Sequence, residues 1–118
     1  QIFQLMLRIR YSSPLFRLAR TEDVLRQVSF PMAGPKQPPA VLVMELTSAE
    51  QLPDQASPPT GVMDPSFKRL VVVFNCSPLA TTLQAPAPAS GKSSGQLVLH
   101  PQQAAFSDPR FSSACKIE

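Results

Sequence analysis

The chain has 118 residues, of which 43% are hydrophobic, and this predicts one globular domain with a single core. A mean hydropathy of -0.01, with no apolar run near the roughly 18 residues of a membrane span, argues against disorder and against a membrane protein. The net charge of +3 is unevenly placed, because the first third has two acidic residues, Glu22 and Asp23, against six basic ones: Arg8, Arg10, Arg17, Arg20, Arg26 and Lys36. These are spread out with few aromatic residues between them, so we interpret them as solvated side chains and not as a nucleic-acid surface.

The first residues predict a helix over 1–13 with an unusually wide apolar surface. Its apolar side chains recur at helical spacing and cover most of the circumference: Ile2, Phe3, Leu5, Met6, Leu7 and Ile9. The helix is expected to end near Ser13, because Pro14 disfavours the α conformation in the residue before it. So wide a surface needs a partner layer, which an upstream domain would supply. The chain has no initiator Met and no signal-peptide pattern, so we expect it to begin after processing or inside a longer polypeptide.

The next residues are expected to connect this helix to a sheet. An apolar plug follows the helix and consists of Leu15, Phe16 and Leu18. Thr21 is a candidate cap for a helical turn over 22–25, whose acidic pair suits the positive end of a helix. Residues 27–30 alternate polar and apolar side chains as an exposed strand does, and the proline-rich residues 31–39 predict a turn.

Two apolar runs rich in β-branched residues, 40–46 and 69–75, are predicted to be the central strands. Successive side chains of a strand point to opposite faces, and the second run is apolar on both. We therefore expect both of its faces to be covered. The many prolines predict that the strands are joined by proline-rich loops.

Low-complexity segments separate the remaining predicted elements. Residues 47–66 predict a mobile loop of about 20 residues, and residues 85–95 predict a second loop. Residues 80–84 and 96–100 are predicted strands, and Pro101 stops the second of them.

The residue types that catalysis requires are scarce. His100 is the single histidine, and we interpret it as a structural or surface residue. Cys76 and Cys115 share no CxxC spacing and cannot complete a zinc site with one histidine, while a disulfide and two free thiols both stay open. Most carboxylates lie in predicted loops, where no rigid frame would hold a catalytic pair: Glu50, Asp54, Asp64 and Asp108. We predict no catalytic, cofactor-binding or metal-binding residue, and no cofactor.

Five motifs in order resemble debranching enzymes of the pullulanase type, the limit dextrinases, and are most similar to their plant and algal branch. Residues 7–18, LRIRYSSPLFRL, resemble the segment that leaves the catalytic barrel in these enzymes. The later matches resemble "V-x-F-x-N-T-G", "V-I-V-M", "V-V-V-x-F-N-x-x-P" and "L-x-L-H-P-V-Q", and they lie at residues 27–35, 41–44, 70–78 and 97–103. The resemblance covers residues 5 to about 108.

The resemblance implies a mainly β fold, with residues 1–20 as the last helix of a (β/α)₈ barrel and its connection, and residues 21–118 as a C-terminal antiparallel β-sandwich. Its catalytic acids would lie on the barrel, in motifs upstream of residue 1. The expected function is a non-catalytic structural domain that packs on this barrel. The parent enzyme would hydrolyse α-1,6-glucosidic linkages in pullulan, amylopectin and limit dextrins, in the chloroplast or another plastid.

Two features depart from the family pattern. The segment 47–66 is longer than expected, and the chain stops at Glu118 without the family's final strand, so a truncated sandwich is expected. The alternative interpretation is a stand-alone, non-catalytic sandwich that binds a starch-like glucan or a protein partner. The alternative location is secreted or in a bacterial cytoplasm. A self-contained enzyme is the least favoured interpretation, and no interpretation includes nucleic acid or a membrane.

Overall fold

The computed structural model describes residues 1–53, 59–88 and 96–117. These ranges form the following elements: α1 (Ile2–Ser12), α2 (Thr21–Gln27), β1 (Val28–Ser29), β2 (Val41–Thr47), β3 (Arg69–Asn75), α3 (Pro101–Ala104) and α4 (Pro109–Ser112). Two 3₁₀ turns, Pro14–Arg17 and Ala49–Gln51, lie between them. The following lie outside the described residues: 54–58 of the first predicted loop, which include Asp54, 89–95 of the second predicted loop, and Glu118. None of the described helices is long and apolar enough to cross a membrane.

The predicted first helix is confirmed and ends where its sequence indicates. α1 stops at Ser12, and Ser13 has an extended backbone with φ of -143° directly before Pro14. The Oγ of Ser13 accepts a hydrogen bond from the N–H of Leu15 at 3.1 Å and so caps the 3₁₀ turn that follows. Leu15 is only 1% exposed, so the predicted plug does anchor the chain after the helix.

The second helix begins without the predicted cap. Thr21 is its first residue, Arg20 occupies the N-cap position, and no side chain there accepts a capping hydrogen bond. The prediction of Thr21 as the cap is therefore wrong. The acidic pair does lie in the first turn, where it complements the positive end of the helix.

Gln27 ends α2 and explains why the strand after it is shorter than predicted. Its side chain is buried and donates from Nε2 to the carbonyl oxygens of Thr47 at 3.0 Å and Val62 at 2.7 Å. Its Oε1 accepts from the N–H of Val62 at 2.9 Å. These long-range bonds hold Gln27 as the last helical residue, so β1 is reduced to two residues, Val28–Ser29.

The strands form one antiparallel sheet in the order β1-β2-β3. Val28 pairs with Leu46, Leu46 pairs with Leu70, and Leu42 pairs with Phe74. The prediction that β2 is central is confirmed. The prediction that β3 is also central is wrong for the described chain, in which β3 forms an edge of the sheet.

The apolar core lies at one end of this sheet. Leu15 packs there on Leu46 and Leu70, surrounded by the half-buried side chains of Phe16, Val28, Met44, Val62 and Phe67. At the other end of the sheet three hydrophobic side chains are exposed: Leu42, Val73 and Phe74. The expectation that both faces of β3 are covered is therefore wrong within the described residues, because the plug reaches only one end.

A buried ion pair crosses from β2 to β3. Glu45 is 3% exposed, and its Oε2 accepts a hydrogen bond from Nη2 of Arg69 at 3.0 Å. The Nε of Arg69 lies 2.9 Å from Oε1, but its N–H is not directed at that oxygen, so this second contact is ionic only. Arg69 also donates to the carbonyl oxygen of Pro86, which ties this residue to the sheet.

The described flanks of the segment 47–66 pack against the rest of the chain. Ala49 and Leu52 are buried, and the N–H of Ala49 donates to the carbonyl oxygen of Val62 at 3.0 Å. Gly61 has φ of +119°, and a Cβ there would lie 2.7 Å from Oε1 of Gln27, so only glycine fits. The expectation of a mobile loop is wrong for these flanks.

Neither of the predicted later strands forms. Residues 80–84 and 96–100 have no regular structure, and short helices follow instead. Pro101 is the first residue of α3, a position where proline costs no hydrogen bond, so it starts a helix instead of merely stopping a strand. Asp108 caps α4 in the same way that His100 caps α3.

Candidate functional site

α1 has one face packed on the chain and one face exposed. Leu5 is buried at 3% exposure, and the helix contacts α3 and the first 3₁₀ turn on this packed face. The other face carries large hydrophobic side chains that are exposed, and we call these residues the α1 face: Ile2, Phe3, Met6 and Leu7. The wide apolar surface predicted from the sequence is therefore only partly covered by the described residues.

The α1 face forms a continuous patch. Ile2 and Met6 are four residues apart, as are Phe3 and Leu7, so each pair lies side by side on the helix. Phe3 is 74% exposed and Met6 is 54% exposed. Single exposed hydrophobic side chains are ordinary on protein surfaces, whereas adjoining ones indicate a contact surface.

A tyrosine between two arginines lies at the C-terminal end of the α1 face. The Cζ of Arg10 lies 5.8 Å and the Cζ of Arg17 lies 5.4 Å from the ring centroid of Tyr11. Both distances are within the range of cation–π contacts, which orient the ring and the guanidinium groups. Tyrosine and arginine are enriched where proteins make strong contacts, so this cluster extends the candidate interface beyond the hydrophobic residues.

His100 fixes the packed side of α1. Its ring stacks on Phe67 with 5.2 Å between ring centroids, and its Nε2 lies 2.9 Å from Oγ of Ser12 at the end of α1. The Nδ1 accepts from the N–H of Gln102 at 3.2 Å, so the proton of the neutral ring is assigned to Nε2, which donates to Ser12. Ser12 in turn donates to the carbonyl oxygen of Ile9 at 2.6 Å. This is the structural role that the sequence predicts for His100.

The stability of the chain should fall as the pH drops below about 6.5, because burial lowers the pKa of His100 from its ordinary value of 6.5. In the window between the lowered pKa and 6.5 the unfolded chain binds more protons than the folded one. The contribution of His100 to the free energy of unfolding is therefore fully present above pH 6.5 and is lost as the pH falls below that value. Urea unfolding at pH 7.5 and pH 5.5 measures the difference between the two free energies of unfolding, which should be smaller in His100→Asn. An equal difference in both proteins would contradict it.

A buried polar network joins the end of α1 to the segment before β3. Ser13 donates to Oδ2 of Asp64, and the N–H of Asp64 donates to Oγ of Ser48 at 2.9 Å. Oδ1 of Asp64 accepts from the N–H groups of Ser66 at 2.7 Å and Phe67 at 3.1 Å. With both oxygens of this carboxylate engaged, the serine and aspartate residues stabilise a turn and are not arranged for nucleophilic catalysis.

The other described loop carboxylates also have structural partners. Burial acts to raise the pKa of Glu50, but hydrogen bonds from Lys68, at 2.5 Å, and Ser48 lower it below its usual range. The side-chain hydrogen bond from Arg110 lowers the pKa of Asp108. A general acid of a glycosidase needs a raised pKa, so these groups are unsuited to that role.

Cys76 and Cys115 are exposed free thiols. Within the ranges that the structure describes, no three His, Cys, Asp or Glu side chains are grouped so that they could hold a metal ion. The basic residues of the first third are exposed, as predicted. The α1 face with its Tyr11 cluster is therefore the strongest candidate site, and its chemistry is that of an interface.

Comparisons with known proteins show which family the chain resembles. A family model described as "Alpha-1,6-glucosidases, pullulanase-type, C-terminal" matches residues 1–117. Pullulanase 1, chloroplastic, of Arabidopsis thaliana is 35% identical over 103 residues, which are 87% of this chain and 10% of that protein. The chain thus spans about a tenth of the length of this curated relative.

Proposed function

The chain belongs to the family of C-terminal domains of pullulanase-type α-1,6-glucosidases, and from this premise we propose that it is the non-catalytic structural domain of a starch-debranching enzyme. The parent enzyme hydrolyses α-1,6-glucosidic linkages in pullulan, amylopectin and limit dextrins. The domain has no part in the chemistry and stabilises the catalytic barrel on which it packs.

The exposed α1 face carries this proposal. Residues 1–20 form the last barrel helix and its connection, and residues 21–118 form a C-terminal sandwich to which the three-stranded sheet belongs. Burying one large apolar side chain contributes roughly 1.5–3 kcal/mol, so docking Ile2, Phe3 and Met6 on the barrel would hold the two parts together firmly. The bonds of His100 and Ser13 fix the other side of α1 to the domain and would transmit this attachment to the sheet.

The decisive experiment compares two polypeptides on pullulan. The transcript upstream of the codon for Gln1 is sequenced, and the longer polypeptide and the 118-residue chain are both purified. We expect an upstream reading frame that encodes an amylase-type barrel, pullulan hydrolysis by the longer polypeptide and none by the 118-residue chain. An upstream frame without such a barrel would refute the proposal, and hydrolysis by the short chain would refute the non-catalytic role.

We also place the enzyme in a plastid, supported by the chloroplastic relative. Import of the longer polypeptide into isolated chloroplasts, with protection from added protease, is the expected result. Complete degradation by the protease would contradict this location.

A further inference from the structure

A polar cleft of about 380 Å³ lies between α1 and the residues that follow α3. It is an open groove lined by Gln1, Gln4, Arg8, Gln102, Ala105, Phe106 and Ser107, all of them exposed except the half-buried Phe106. The volume is within the range of small-molecule sites, roughly 300–1,000 Å³. Two elements far apart in sequence form this cleft, so it depends on the packing of α1 against α3.

Three of these side chains have unused hydrogen-bonding capacity. The amide groups of Gln4 and Gln102 and the guanidinium group of Arg8 have no hydrogen-bond partner among the residues that the structure describes. The bond that Gln102 makes to His100 uses its backbone N–H only. Each amide offers two donors and one acceptor, and the guanidinium offers five donors, so the cleft can bind a ligand that is rich in hydroxyl groups.

An aromatic ring lies beside these polar groups. Phe106 is half-buried, and Phe111 contacts it edge-on with 6.0 Å between ring centroids and 86° between ring planes. A bond of 3.2 Å from Nε2 of Gln103 to the carbonyl oxygen of Phe111 holds this pair in place. An aromatic residue in the same lining as amide and guanidinium donors suits a sugar, which has an apolar ring face and polar edges.

We propose that this cleft binds a short segment of α-glucan as a non-catalytic site, an inference that rests on the proposed function for its ligand class. Arg8 is the one charged side chain among the described residues that line the cleft, so inorganic phosphate is the competing ligand that the experiment below distinguishes from the sugar. At 3.6 residues per turn, Gln4 and Arg8 lie on the opposite side of α1 from Ile2 and Met6. The cleft therefore lies away from Ile2 and Met6, whereas Leu7 of the α1 face lies next to Gln4 at a spacing of three residues.

Titration of the ¹⁵N-labelled 118-residue chain with maltoheptaose, followed by NMR, tests this site. We expect saturable shifts confined to the amides of residues 1–8 and 102–107. Arg8→Gln removes a charged hydrogen-bond donor, and Phe106→Leu removes the ring, so each should raise Kd about tenfold. Arg20→Gln, at an exposed arginine outside both the cleft and the α1 face, is the matched control and should leave Kd unchanged. Dispersed spectra confirm that each variant is folded.

No shift at about 10 mM maltoheptaose, or shifts outside the cleft, would overturn the site. An equal response to cellohexaose would overturn the α-glucan specificity, and a response to inorganic phosphate instead of the sugar would show an anion site. If maltoheptaose does not bind but the longer polypeptide hydrolyses pullulan, the cleft site is refuted and the proposed function stands. If maltoheptaose binds but the longer polypeptide does not hydrolyse pullulan, only the proposed function is refuted.

Discussion

Replacing Arg69 by methionine should lower the free energy of unfolding of the chain by about 3–5 kcal/mol, because Glu45 would be left buried without its opposite charge. The side chains of these residues are 11% and 3% exposed, and 3.0 Å separates Nη2 from Oε2. The same substitution removes the hydrogen bond to the carbonyl oxygen of Pro86. Because a domain has only about 5–15 kcal/mol of stability in total, this single change should remove a large fraction of it.

Urea unfolding monitored by circular dichroism measures this loss. Lys68→Met is the matched control, since the ion pair of Lys68 with Glu50 is half exposed at 52% and 22% and should contribute less than about 1 kcal/mol. Combining Arg69→Met with Glu45→Leu should restore much of the stability, because no unpaired charge is then buried. Equal losses in Arg69→Met and Lys68→Met would show that burial does not strengthen the pair across β2 and β3.

Replacing Ile2, Phe3 and Met6 together by glutamine should destabilise the longer enzyme by about 5 kcal/mol, at roughly 1.5–3 kcal/mol for each buried apolar side chain. In the 118-residue chain these side chains are exposed, so the same change should alter stability by no more than about 0.5 kcal/mol. Glutamine keeps a good helix propensity, so α1 itself is preserved. The urea concentration that halves pullulan hydrolysis measures the effect in the enzyme.

Leu25→Gln is the matched control for this variant, because Leu25 on α2 is also a large exposed hydrophobic residue, at 78%, but does not belong to the α1 face. It should leave both proteins unchanged. If the triple variant weakens the short chain as much as the enzyme, then the α1 face stabilises the domain internally and is no docking surface.

The parts of the fold with a strong local signal could be predicted from the sequence. α1 and the strands β2 and β3 have long, regular apolar patterns, and Pro14 ends α1 through local sterics. The predicted strands at 80–84 and 96–100 fail because short apolar runs depend on a pairing partner. Pro101 is the first residue of a helix, but a proline at this position is equally compatible with the end of a strand, so the sequence alone does not distinguish the two.

The candidate site could be predicted only in part. The helical spacing of apolar residues predicts the wide surface of α1, and the structure shows which side stays exposed. The polar network of Ser13 with Asp64 and the bonds of Gln27 join residues 51 and 35 positions apart, and no local pattern indicates such contacts. The cleft beside Arg8 likewise depends on the packing of α1 against α3.

Hydrogen exchange of the α1 amides tests most directly whether this chain is a domain docked through the α1 face. The exchange rates are measured by mass spectrometry in the longer polypeptide and in the 118-residue chain. Docking predicts that α1 exchanges at least about 1,000-fold more slowly in the longer polypeptide, since each tenfold change corresponds to about 1.4 kcal/mol of added local stability. Equal exchange rates for α1 in the two proteins would contradict the docking of this face.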